Sequence, residues 1–182
     1  NYILDEMAAG RDYAQALSMA QELGYAEADP RNDIEAYDSA AKITILANVL
    51  MGGRVNPADV RRQGITEVTP EDIHDARIEG KRIRLVARAY RDEGRIKAQV
   101  VPERLEANDL LSHISGVLNA MILSTDMQPE VAVVGPGAGG DSAGYALLSD
   151  LLALNRTLSE PQYPDILHRN PILDVSKSMN VK

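Results

Sequence analysis

The sequence predicts an α+β domain, with a mixed, partly antiparallel sheet covered by helices. Three observations carry that class. Residues 38–51 are apolar on nearly every side and stop at Gly52-Gly53, the pattern of a helix central to a core. Two extended segments, 83–90 and 96–101, flank a polar stretch containing Gly94, as in a hairpin. Helical and extended segments also lack the regular strand–helix–strand alternation of a parallel nucleotide-binding sheet.

Taken in order, residues 2–24 carry a helical pattern. Asp12 has the chemistry of an N-cap, Leu17, Ala20 and Leu23 recur at helical spacing, and Gly24 stands where a left-handed C-terminal residue belongs. A polar connection with Pro30 leads to the apolar helix. Thr69-Pro70-Glu71-Asp72 is a helix start: a hydroxyl cap, Pro in the first turn, and acids at the positive helix end, with Gly80 as the stop. After the hairpin come a short helix near 109–115, strands near 117–123 and 131–134, and a last helix over about 141–154. Residues 1–155 form the domain. Residues 156–182, with Pro161, Pro164 and Pro171, are expected to lie on its surface as a tail.

A chain of 182 residues buries roughly 70% of its unfolded surface and requires no covalent staple. The absence of cysteine excludes disulfides, thiolate metal sites and a thiol nucleophile, and suits a reducing cytoplasm. His74, His113 and His168 share no metal-ligand spacing, so no metal site is expected. A net charge of −8, without a basic face and without Trp or Phe, argues against nucleic-acid binding. No apolar run reaches the ~20 residues of a membrane span. The start at Asn1, with neither Met nor a leader pattern, is read as the trimmed end of a longer chain.

The stretch from Gly24 to Lys42 concentrates charge: Glu27, Asp29, Asp33, Glu35, Asp38 and Lys42. Asp38 and Lys42 lie four apart at the start of the apolar helix, on one face and in line with Ile45 and Val49. One reading is an i,i+4 ion pair worth a few tenths of a kcal/mol. The other is a pocket for a small zwitterion, with carboxylates for an ammonium group and Lys42 for an oxygen that becomes negative.

Residues 20–42 resemble the homoserine dehydrogenase signature A-x3-G-[aromatic]-A-E-x-D-P-x2-D-[I/V]-x-G-x-D-x3-K, departing from it only at Ala36, where the family has Gly. Asn1-Tyr2-Ile3-Leu4 looks like the end of the family's N-G-T-x-N-Y-I-L segment, and Gly135-Pro136-Gly137-Ala138-Gly139-Gly140 resembles its G-x-G-A-G motif. The resemblance runs over about residues 1–155, in the right order.

It implies a dimeric catalytic domain that works with a dinucleotide-binding domain absent from this sequence. That domain would also supply a second catalytic lysine, and the family's monovalent-cation site lies upstream. The implied chemistry is hydride exchange between L-aspartate 4-semialdehyde and L-homoserine with NAD or NADP. The implied substrate residues are Glu27, Asp33, Asp38 and Lys42, with Lys42 as donor to the reacting oxygen. Gly137, Ala138 and Gly139 would let backbone approach the nicotinamide end of the cofactor. The helix near Asp141 is a poor phosphate site, because an acid at its N-terminus repels anions.

This chain alone is then expected to be inactive and dimeric, without nucleic acid or membrane as partner. The competing class is a non-catalytic dimerisation module derived from the family. Ala36 is expected at negative φ, its family Gly serving clearance.

Overall fold

The chain folds as α1 (Tyr2–Ala8), α2 (Tyr13–Glu22), α3 (Arg31–Ile34), α4 (Tyr37–Met51), β1 (Arg61–Arg62), α5 (Pro70–Ile78), β2 (Lys81–Asp92), β3 (Arg95–Glu106), β4 (Leu118–Ser124), β5 (Val131–Pro136), α6 (Gly140–Ser159) and β6 (Asn180–Val181). These elements come from a computed structural model that describes residues 1–159 and the backbone of 180 and 181. The six strands form one sheet in the order β1-β3-β2-β6-β4-β5. Only the β1–β3 pair is parallel; β2–β3, β2–β6, β6–β4 and β4–β5 are antiparallel.

Local chemistry sets most element ends. Asp12 caps α2, accepting from Gln15 N at 2.8 Å while the Gln15 side chain reaches back to the Asp12 N–H. Thr69 and Asp72 form the same reciprocal box at α5. The helical pattern of residues 2–24 is therefore two helices, broken at Gly10 (φ 97) just before the Asp12 cap. The β2–β3 hairpin closes more tightly than expected. Asp92 pairs with Arg95, and the two turn residues, Glu93 (φ 48) and Gly94 (φ 77), are both left-handed, as a type I′ turn requires.

Helix α4 lies on the β2–β3 hairpin. Ala40, Ile43, Ala47 and Met51 recur at helical spacing and pack with Ala89, Ala98 and Val100. Burying Ile43 alone stabilises by about 2 kcal/mol relative to leaving it in water. The helix is not buried all round, however. Ile45 and Val49 are 62% and 73% exposed, since the sheet covers one side only. A second cluster joins α1, α2 and α5 through Ile3, Leu4, Met7, Ala16, Ala20, Ile73 and Ala76 to Ile83 at the start of β2.

Two further expectations change, and one cation is buried. Arg84 is 3% exposed; its guanidinium bonds Asp5 at 2.6 Å and the Ser112 carbonyl at 3.3 Å. Removing Asp5 leaves the buried Arg84 charge without its counter-ion, which costs on the order of 3 kcal/mol. The last helix continues past residue 154 to Ser159, and its apolar residues, including Tyr145, Leu147, Leu151 and Leu158, are exposed rather than laid on the sheet. Most of the expected surface tail lies outside the described residues, but Asn180–Val181 form β6 inside the sheet, with Val181 registered on both Ala89 and Leu123.

Candidate functional site

The acidic loop reaches its place through two backbone devices. After α3 the chain turns at Ala36, which adopts φ 63 and is fully buried. The expectation of a negative φ there is wrong. The Ala36 N–H closes on Asp33 O at 3.2 Å, and only a left-handed residue redirects the chain from α3 into α4 within one position. Behind the loop, Ile65 N donates to Ile34 O at 2.8 Å. A Cβ on the neighbouring Gly64 would stand 2.2 Å from Ile34 O and 2.6 Å from Glu35 Cα. Glycine at 64 is therefore what lets the two backbones meet.

Asp33 thus sits in α3, Asp38 in the first turn of α4, and Lys42 one turn further on. Lys42 Nζ pairs with Asp38 Oδ2 at 2.6 Å, with side chains 59% and 45% exposed. At that exposure the pair adds little to stability, and both groups stay open to a ligand. Asp29 is differently engaged. Hydrogen bonds from the Arg31 side chain, and then from its backbone N–H, hold the Asp29 carboxyl below its ordinary value.

A cavity of about 600 Å³ opens beside this helix start. Asp33, Asp38 and Lys42 line one part of its wall; Asn119, Gly137 and Ala138 line another. The volume falls within the range of small-molecule sites. The other expected site residues lie outside the lining. Glu27 is exposed, next to the lining residue Ala26, and its carbonyl accepts from Gln21 at 3.0 Å. Gly139, at φ 112, is two residues beyond Gly137, and a Cβ there would meet nothing within 4 Å.

Around Gly137 the contact is closer. Its N–H donates to Val117 O at 2.7 Å, and a Cβ on it would overlap the Asn119 side-chain amide at 2.0 Å. Gly135, Gly139 and Gly140 present open backbone. This open backbone lies at the edge of the cavity, and Asp141, at the start of α6, disfavours an anion there. Among the described residues, no group of three or more His, Asp or Glu is placed to hold a metal ion.

Sequence reasoning missed three residues of this architecture. The Asn1 side-chain amide pairs with both backbone groups of Leu85, accepting from its N–H at 2.8 Å and donating to its carbonyl at 3.1 Å. That fixes the start of α1 to the strand that walls the cavity. Gly64 and Asn119 act through close approach, and neither carries a local pattern that says which segment it meets. Tyr25 lines the cavity, whereas Tyr37 is 45% exposed beneath the Arg62 guanidinium, 3.4 Å from its ring centre, and Tyr145 is 75% exposed.

Residues 1–152 match the family model described as homoserine dehydrogenase. A relative from Pseudomonas canavaninivorans, an NAD(+)-dependent homoserine dehydrogenase, is 38% identical over 163 residues, which cover 89% of this chain and 46% of the relative. The crystal structure of a homoserine dehydrogenase from Thiobacillus denitrificans superposes with a TM-score of 0.82 at 35% identity, over 94% of this chain and 39% of that one. A hyperthermophilic archaeal homoserine dehydrogenase in complex with NADPH gives a TM-score of 0.66 at 32% identity, over 88% and 45%. The chain spans less than half the length of these relatives.

Proposed function

The chain belongs to the homoserine dehydrogenase family of oxidoreductases, and on that footing we propose that it is the substrate-binding half of an NAD(P)-dependent enzyme. The reaction is the interconversion of L-aspartate 4-semialdehyde and L-homoserine. One observation carries the reading: Asp33, Asp38 and Lys42 meet Gly137 and Ala138 on a single cavity, although the two groups are far apart in sequence. A module kept only for dimerisation has no use for that charged set.

Asp33 and Asp38 accept hydrogen bonds from the substrate ammonium, and Glu27, exposed next to the lining residue Ala26, is a third acceptor. Lys42 donates to the oxygen that is a carbonyl in the semialdehyde and a hydroxyl in homoserine, and serves its proton transfer. Charge on that oxygen is greatest in the transition state, so such help contributes roughly 10²–10⁴ in rate. The Asp38 carboxylate, 2.6 Å from Lys42 Nζ, orients that side chain. Gly137, Ala138 and Gly139 would take the nicotinamide end of NAD or NADP against their backbone; the bound cofactor supplies or accepts the hydride.

The working protein is a cytoplasmic homodimer, an arrangement favoured by the exposed apolar residues Ile45 and Val49 on α4. No helix among the described residues is long and apolar enough to cross a membrane.

The decisive measurement uses a longer chain in which these residues are joined to a nucleotide-binding domain. Lys42→Ala should lower kcat at least ~10²-fold. Its melting temperature should stay close to the parent's, because an exposed i,i+4 pair contributes only about 0.3–0.5 kcal/mol. Turnover within a few-fold of the parent would reduce Lys42 to a structural ion-pair partner. The 182-residue chain alone should show no turnover of homoserine with NAD or NADP.

A further inference from the structure

We propose that a second cavity, unrelated to the first, binds a small multiply charged oxyanion. It is an open cleft of about 610 Å³ where three segments converge: the chain leaving α4 at Gly52–Val55, the short turn ahead of β1, and the end of the β2–β3 hairpin. It shares no lining residue with the cavity that holds Lys42.

The lining is strongly cationic for a chain of net charge −8. Arg54, Arg61, Arg91, Arg95 and Lys97 all contribute, against Asp59 as the one carboxylate among the described lining residues. The topology imposes this convergence. Arg95, Lys97 and Gln99 alternate along one face of β3, and Arg61 of β1 is registered on Gln99. Gly53, whose Cβ would overlap Ile96 at 2.7 Å, brings the end of α4 down onto the same strand.

Two of the five cations have structural work. Arg91 donates to the carbonyl of Met51 at the C-terminal end of α4, and Lys97 pairs with Asp92. The side chains of Arg54, Arg61 and Arg95 make no hydrogen bond or ion pair with any described residue. Arg54, Arg61 and Arg95 are exposed around one concavity with a single lining carboxylate, so an anion entering it meets three guanidinium groups without partners among the described residues. Their planar donor forks match the oxygen pairs of phosphate and carboxylate groups. A ligand bearing two or more such groups engages several forks at once; a monovalent anion does not.

The test is calorimetric titration of the 182-residue chain, which requires no turnover and so is independent of the assignment of the other cavity. Inorganic pyrophosphate and citrate serve as the phosphate and carboxylate probes, with chloride as the monovalent control. The expected result is saturable one-to-one binding of at least one probe. Arg61→Ala and Arg95→Ala should each weaken it at least tenfold, while Arg156→Ala, which removes an equal charge from α6, should leave it unchanged. The probe that binds more tightly identifies the phosphate or carboxylate class. Absence of saturable binding by both probes, or binding weakened equally by all three substitutions, would overturn the proposal.

Discussion

The side-chain amide of Asn119 occupies the space where a Cβ on Gly137 would stand, with Nδ2 2.0 Å and Cγ 2.2 Å from that point. Asn119 lies in β4 opposite Gly135 of β5, so the strand pairing itself delivers the amide to the first turn of the glycine loop. Glycine at 137 is thus required by close approach, and no positive φ is involved.

Gly137→Ala should therefore destabilise the chain by about 1–2 kcal/mol, the cost of forcing the amide or the loop aside. Adding Asn119→Ala should recover most of that loss, because the two effects share one contact. Denaturant melts of the two single variants and the double variant test this. Strict additivity would mean that Asn119 swings clear at no cost.

Gly64→Ala should be harsher. The atoms in the way are the backbone of Ile34 and Glu35, at 2.2 and 2.6 Å, and backbone cannot rotate aside as a side chain can. A loss above about 2 kcal/mol is expected. Amide exchange should show the Ile65 N–H losing its protection along with the bond to Ile34 O. A stability equal to the parent's would mean that the loop carrying Asp33 is not pinned there.

At Ala36 two effects oppose. Left-handed backbone at φ 63 costs Ala about 1–2 kcal/mol relative to Gly. Against that, Ala36→Gly removes a buried methyl worth ~0.8 kcal/mol and loosens the unfolded chain. The net change should stay within about 1 kcal/mol of the parent. Ala36→Val has no such compensation, since a β-branched side chain is poorly tolerated at positive φ. It should cost more than ~2 kcal/mol in a thermal melt. Equal melts for the Gly and Val variants would contradict the left-handed turn.

Asp72 predicts a pH dependence. Hydrogen bonds from the Thr69 side chain, then its backbone N–H, hold the Asp72 carboxyl below its ordinary value of 3.8. A carboxyl with a depressed folded value contributes stability that is fully present above its unfolded value and lost as pH falls through the folded one. The chain should lose stability as pH falls below about 5 and through the depressed folded value, and Asp72→Asn should flatten that part of the profile. Thr69→Ala should cost about 1 kcal/mol near neutral pH by deleting the cap. Parallel acid profiles for the parent and Asp72→Asn would show that the box carries no such linkage.

The sequence by itself determined several elements whose cause is local. Asp12 with Gln15 and Thr69 with Asp72 fix two helix starts through side chains three residues from their targets. Gly94 closes the hairpin, and α4 sets the four-residue spacing that pairs Asp38 with Lys42. Tertiary structure alone decided what depends on surfaces brought from elsewhere. Which side of α4 faces water follows from the sheet beneath it, so Ile45 and Val49 look like core residues in the sequence and are not. Arg84 reads as a surface strand residue until Asp5, 79 residues earlier, supplies its counter-charge. The left-handed turn at Ala36, the approach of Gly64 to Ile34, and the seating of Asn119 against Gly137 are likewise contacts between distant segments. Local propensity acts within a turn or two of chain, whereas burial and close approach are fixed only when the layers pack.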